Sequence, residues 1–301
     1  MGTRSIPSPG TADLVVGRFS PPRLKTGNLL RQILLYGTLT VLSLIFLFPF
    51  FWMITTALKP EYQVFRWPPQ WLPNPIMWQN FVEVFSNPFL PFHLFIRNTM
   101  ILEVGMITGR LLSVTLVAYG FARLRAPGKD LLFGILLATL MLPGVALLIP
   151  RFIMFSQLGW INTFLPMIVP AWFGEAYAIF LLRQFFRTLP KELEEAAIVD
   201  GASTLHIIFR IIVPLSIPVL TVILILSFKD IWNDLLTPLL YLTTPSMYTV
   251  SVGLAYLNGI NNTQMSILMA ASVTLMMPII ILFFIAQRSF IEGIALTGLK
   301  G

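Results

Sequence analysis

The chain has 301 residues, of which 56% are hydrophobic and only 11% charged, with a net charge of +7. A soluble protein carries about a quarter charged residues, so a soluble globular class is excluded and the bilayer is the solvent for most of the chain. There is no cysteine, which removes disulfides and thiolate metal sites, and two histidines, His93 and His206, cannot form a metal cluster alone. The basic balance reports membrane orientation and carries no nucleic-acid meaning.

Residues 1–28 are polar and proline-rich, with Arg4, Arg18, Arg23 and Lys25, and read as a mostly disordered tail. They are not a signal peptide, because the apolar run that follows exceeds the ~7–15 residues of an h-region. Gln32 to Leu58 holds no charged residue and exceeds the ~20 apolar residues a span requires, with a kink expected at Pro49. Lys59 to Phe95 is a mixed loop in which Trp67, Trp71 and Trp78 sit among prolines, as in an interfacial belt. Asn80 to Phe85 has the pattern of a short amphipathic helix, and this loop reads first as packed on the lipid surface and second as a contact for another protein.

Asn98 to Ala122 is a second span containing Glu103 and Arg110. Charges there are costly and face the bundle interior, so the first reading of Arg110 is a structural partner on another helix, ahead of solute contact. After a basic turn, Leu131 to Pro150 is a third uncharged span with a break at Pro143-Gly144, either a packed kink or a cavity lining. Arg151 to Trp160 reads as a short outer loop. Ile161 to Leu182 is a fourth span carrying Glu175, a buried acid first and a solute hydrogen-bond acceptor second.

The stretch Leu189 to Leu215 stands out as the most charged passage of the apolar second half. Pro190 suits a first helical position, and Glu192, Glu194 and Glu195 place negative charge at the positive end of a helix. Leu193, Ala196 and Ala197 form a small apolar face, and Asp200-Gly201 ends the pattern. Ser203 or Thr204 caps a second helix that runs into Ile211, Ile212, Val213 and Pro214. The reading is helix, glycine turn, helix, lying where the chain meets the membrane. Ile211 to Trp232 follows as a fifth span, ending in the polar cluster Lys229, Asp230, Asn233 and Asp234. Leu239 to Gln264 is an outer segment and Met265 to Ala286 a sixth span.

The run Glu195-Ala196-Ala197, three residues, Gly201, nine residues, Ile211, one residue, Val213, Pro214 resembles the signature of permease subunits of bacterial ABC importers. The departure is Val213, where that family usually has leucine. The Trp232-to-Pro238 run and the glycine-rich tail Gln287 to Gly301 are similar to those of the six-span, maltose-type carbohydrate permeases. The resemblance implies an all-α polytopic membrane helix bundle of about six spans with the architecture of a type I ABC importer permease. It further implies that Glu194, Glu195, Ala196, Ala197, Asp200, Gly201, Ile211 and Pro214 form a coupling helix docked on a cytoplasmic ATPase. Glu175, Asn233 and Asp234 are candidates for the solute path.

Lysine and arginine fall mainly on one side if the N-terminus is inside: Arg123, Arg125, Lys129, Arg183, Arg187 and Arg210 inside, against Lys59, Arg66, Arg97 and Arg151 outside. This independently puts the Glu-Ala-Ala loop in the cytoplasm. The expected organisation is a cytoplasmic tail at 1–31, a transmembrane permease domain at 32–287 and a cytoplasmic tail at 288–301, in the cytoplasmic membrane. No phosphate-binding loop or nucleophile–histidine constellation is present, so no catalytic residue, metal or cofactor is assigned here. ATP and magnesium belong to partner ATPase subunits. The implied partners are a second permease subunit, two ATPase subunits, an extracytoplasmic solute-binding protein and membrane lipid, with no nucleic acid. Sugars or oligosaccharides are the implied solutes, with glycerol phosphate or another non-sugar solute as the rival. A secondary transporter would need coupling-ion sites and internal repeats, which the sequence lacks, and a non-transporting scaffold is the remaining class.

Overall fold

In a computed structural model of the chain, residues 26–87, 91–259 and 264–298 are described, with side chains over 31–87, 91–259 and 264–287. Most of the N-terminal tail and the last residues of the C-terminal tail lie outside that set. Compactness divides the chain after Phe51. The first unit holds most of α1 (Thr26–Ala57), an apolar helix of mean hydropathy 2.2 from Arg31 to Ala57 that continues through Pro49. Within it the Ser43 hydroxyl donates to the Leu39 carbonyl at 2.8 Å, which satisfies a polar group where lipid offers no partner.

The second unit opens with α2 (Glu61–Val64) and α3 (Gln79–Ser86), the latter matching the expected amphipathic helix. Its Asn80 is buried and donates to the carbonyls of Ala57 and Lys59 at 2.8 and 3.0 Å, satisfying acceptors that the end of a helix leaves open. Lys59, placed from sequence on the outer side of the membrane, is 1% exposed. Its ammonium sits 4.3 Å over the Trp52 ring, and burial lowers its pKa.

The centre of the unit is α4 (Phe92–Arg123). At 32 residues it is about 48 Å long against a hydrocarbon layer of ~30 Å, so its ends project beyond the apolar slab. It contributes to each cluster of buried residues: Phe92 and Phe95 to one, Leu102 to a second, and Val114, Ala118 and Tyr119 to a third. The chain continues through α5 (Lys129–Thr139), α6 (Leu148–Gln157), α7 (Leu165–Ala171) and α8 (Ala176–Thr188). It then passes through α9 (Glu192–Val199), α10 (Thr204–Ile207), α11 (Val213–Leu215) and α12 (Ile217–Asn233). Last come α13 (Leu236–Tyr241), α14 (Val250–Gly259) and α15 (Met265–Gly298). Helix α4 packs against α7, α8, α12 and α14, and α15 packs against α3, α12 and α14.

Close approach explains the α4–α7 contact. A Cβ on Gly109 would lie 2.3 Å from Trp172 Cδ1, while the Trp172 indole donates to the Gly105 carbonyl at 3.1 Å. Glycines four residues apart leave room for the Ile168 and Trp172 side chains to lie directly on the α4 backbone, the small-residue packing common between membrane helices. The start of α15 is capped from far away in sequence: the Glu61 carboxylate accepts from the Met265 and Ser266 amides at 2.9 and 3.0 Å and from the Ser266 hydroxyl at 2.7 Å. A carboxylate there meets both the open amides and the positive end of the helix.

Among the described residues, four helical stretches are long and apolar enough to cross a membrane, and two bent pairs raise the total to six. The bends correct the sequence-based spans. The break at Pro143-Gly144 is a 93° turn between α5 and the helical stretch Gly144–Gln157, so Arg151 lies on a helix rather than in a loop. The fifth span does not start at Ile211. Thr204–Leu215 meets Ile217–Asn233 at 80°, after a π turn at Ile208–Ile212. Pro214 and Pro218 offer no backbone donors, and at the bend between them the Ser216 amide and hydroxyl both donate to the Ile212 carbonyl, at 3.0 and 2.7 Å. The fourth span is interrupted at Gly174-Glu175, and Glu175 is an extended residue at the start of α8. The outer segment after α13 is largely helical and packed inward: Val250, Val252 and Leu257 are buried. Asn98 anchors it by donating to the Ser246 and Tyr248 carbonyls.

Candidate functional site

The first site is an elbow made by α9, Asp200-Gly201 and α10. Helix α9 begins at Glu192, two residues later than Pro190 would set it, with Lys191 as its cap residue. Its first turn carries Glu192, Glu194 and Glu195. Gly201 has φ of +79° with nothing within 4 Å of a would-be Cβ, so the turn demands glycine for its backbone rather than for space. Ser203 is the cap of α10, its hydroxyl accepting from the His206 amide at 3.3 Å. Inward, Ala197, Ala202, Ile207, Ile208 and Ile212 pack with Tyr119 of α4 and Phe186 of α8. Outward, Leu193, Ile198, Val199 and Leu205 are exposed, Val199 at 86%. A recess of about 580 Å³ beside the turn is lined by Ala197, Gly201, Ser203, His206 and Ile211, among others.

The predicted elbow residues do not all face the same way. Glu195, Ala196, Asp200, Gly201 and Pro214 are exposed, while Ala197 and Ile211 are half-buried. Glu194 points inward. Its Oε1 lies 2.7 Å from Arg123 Nε, and its Oε2 accepts from the Tyr119 hydroxyl at 3.1 Å.

The second site is a cavity of about 430 Å³ between α4, α6, α7, α12 and α13. Arg110, Arg151, Glu175 and Asp234 converge on it, with Phe155 and Tyr241 in its wall. Arg110 Nη1 is 3.4 Å from Glu175 Oε2 and donates to the Ser227 hydroxyl at 2.9 Å. Glu175, read from sequence first as a buried acid, has a side chain 42% exposed. The Asp234 carboxylate accepts from the Thr237 amide at 3.1 Å, which fixes the turn into α13. Asn233 is not part of this group. It donates to the Lys229 carbonyl at 2.7 Å and lines a separate recess with Trp232, Ser251, Asn258 and Ser272. Glu103 lies buried on α4 with both carboxylate oxygens lacking a hydrogen-bond partner.

The model of the binding-protein-dependent transport system inner membrane component matches residues 112–295, more than half of the chain and all of both sites except Arg110 and nearby α4 residues. The chain belongs to that family. It is a permease subunit of an ABC importer and a multi-pass protein of the inner membrane. Its relatives include the inner membrane ABC transporter permease protein YcjP of Escherichia coli K12, 31% identical over 90% of this chain and 98% of that one. The trehalose/maltose transport system permease protein MalG of Thermococcus litoralis is 32% identical over 91% of this chain and 99% of that one. The fold matches a chain of a bacterial ABC transporter involved in the import of the acidic polysaccharide alginate, with TM-score 0.79, 21% identity and coverage of 89% and 99%.

The permease therefore keeps its recognisable motif on one exposed elbow and brings Glu175 and Asp234 together in one cavity, leaving Asn233 aside. Sequence reasoning did not single out Arg123 and Tyr119 as elbow residues. They lie some seventy residues upstream of Glu194, and no local spacing joins them. Arg151 was missed because the bend at Pro143 carries it to the cavity wall. The expectation that Arg110 has a partner on another helix holds, and the partner is Glu175.

Proposed function

We propose that this permease imports carbohydrates by alternating access, driven by ATP hydrolysed on two separate ATPase subunits. In this reading it pairs with a second permease subunit and receives solute from an extracytoplasmic binding protein. The single observation that carries the coupling is the elbow. Its apolar outer face is exposed, and its inner face is packed against α4 and α8, so force applied outside is delivered to two helices. The termini and the elbow face the cytoplasm, as the positive-inside bias supports. ATP and magnesium remain with the ATPase pair, and this chain holds no cofactor. Its organisation is a transmembrane domain at 32–287 with cytoplasmic tails on either side.

Two ATPase states, open and closed, would contact the elbow differently, and that difference shifts the bundle between inward- and outward-facing forms. The solute path runs by the cavity of Arg110, Glu175 and Asp234. Trehalose and maltose import by a relative named for those sugars supports a carbohydrate. The balance of two cationic and two anionic side chains around the cavity suits a neutral, hydroxyl-rich solute better than an anion such as glycerol phosphate. The test is uptake into proteoliposomes holding the permease with its partner subunits and binding protein. Labelled di- and oligosaccharides are expected to enter only with ATP. Uptake of glycerol phosphate alone, or sugar uptake without ATP by this chain alone, would overturn the reading.

A further inference from the structure

The group that mounts α9 on the bundle is polar, buried and anchored at one point on α4. The Arg123 and Glu194 side chains are only 5% and 11% exposed, with Nε and Oε1 2.7 Å apart. Arg123 Nη2 also donates to the Leu189 carbonyl at 2.7 Å. Tyr119, 4% exposed, reaches Glu194 from one turn further back on α4 and packs edge-on against Phe186 of α8, with ring centroids 6.4 Å apart. Leu189, which ends α8 three residues before α9, and the first turn of α9 are thus both fastened to the end of α4. Opening such a pair strands a charge away from water, so it stays closed while neighbouring contacts change.

The covalent route from the elbow to the next span is built differently. It passes through the π turn at Ile208–Ile212, Pro214 and the 80° bend at Ser216. Such features are the usual joints of helices. A push on α9 reaches α12 through joints and reaches α4 through a stiff polar contact.

We infer that Arg123 and Glu194 form a positioning strut that passes the movement of the elbow to α4, which carries it along its length to Arg110. Arg110 lies 13 residues back on the same helix, about 20 Å along the axis. There it meets Glu175 at the start of α8 and Ser227 on α12. One rigid helix therefore joins the elbow to the cavity. This rests on the reading above that α9 meets the ATPase.

The test uses the full complex reconstituted in liposomes and measures ATP hydrolysed per solute imported. In Arg123→Gln this ratio is expected to rise about 5-fold, within the range by which coupling residues act. Arg123→Lys, which keeps a cation and donor beside Glu194, is expected to hold the ratio close to that of the unaltered protein, and Arg125→Gln, an exposed neighbour, to leave it unaltered. A loss of assembled complex with an unchanged ratio would show a merely structural pair and overturn the inference. A second readout needs no strut variant. The chain has no cysteine, so spin labels on Leu124→Cys, the exposed residue that caps α4, and on Glu192→Cys report the distance between the end of α4 and α9. That distance is expected to be the same without nucleotide and with ATP trapped. A distance that changes between the two states would overturn the strut. Failure of the strut alone leaves ATPase binding at the elbow intact, whereas failure of the underlying reading abolishes that binding in the unaltered protein.

Discussion

Arg110 and Glu175 meet 3.4 Å apart across the broken fourth span, with Glu175 placed by the interruption between α7 and α8 and Arg110 held by Ser227 of α12. The pair joins three elements at the wall of a cavity. Because Glu175 is substantially exposed, screening leaves the pair a small share of stability, about 1 kcal/mol or less. Glu175→Gln is therefore expected to leave the thermal unfolding of the purified complex nearly unchanged while raising the KM of uptake. Unchanged KM with a lowered melting temperature would assign the pair to structure alone.

The α4–α7 contact predicts the opposite pattern. Gly109→Val places new atoms where the Trp172 ring already sits, and overpacking of this kind costs about 1–3 kcal/mol. Gly120 on the same helix has nothing within 4 Å of a would-be Cβ, so Gly120→Ala should be tolerated. The yield of monodisperse, detergent-extracted protein compares them, and equal yields would contradict the packing account.

Much of this was legible in the sequence. The span count, the elbow and its glycine all follow from apolar run lengths, acidic residues at a helix start and a glycine at its end. The break at Pro143-Gly144 was legible too, but its 93° angle and the 80° bend at Ser216 were not, because a hydropathy run reads the same whether it is straight or turned. The inward turn of Glu194 was equally hidden. Three acids in one helical turn look alike until Arg123, brought from α4, selects one. Glu61 shows the same limit, since its partners Met265 and Ser266 are reached only through the fold.

That cap supplies a third prediction. Glu61→Ala removes three hydrogen bonds at the start of α15 and should cost about 0.5–2 kcal/mol, the usual range for a lost helix cap. Thermal unfolding of the complex measures it. Hydrogen exchange at the amides of Met265 and Ser266 should speed up first, and unchanged protection there would show that the cap is dispensable.

The elbow turn gives a fourth. Gly201→Val forces a branched side chain to a φ of +79°, a strain of about 1–3 kcal/mol met by a local rearrangement of the turn. Glu195→Lys reverses an exposed charge on the same element. Both variants are expected to insert into membranes at normal levels and to lose solute uptake. Normal uptake by both would remove the elbow from the mechanism.

The most direct measurement is disulfide cross-linking from the elbow. Val199→Cys on the otherwise cysteine-free chain exposes a thiol at the tip of α9. In the assembled transporter it is expected to form an adduct with a cysteine placed in the surface groove of a nucleotide-hydrolysing subunit, at a rate that changes when ATP is bound. A thiol that forms no such adduct, and that membrane-impermeant reagents reach only from outside the cell, would contradict the account.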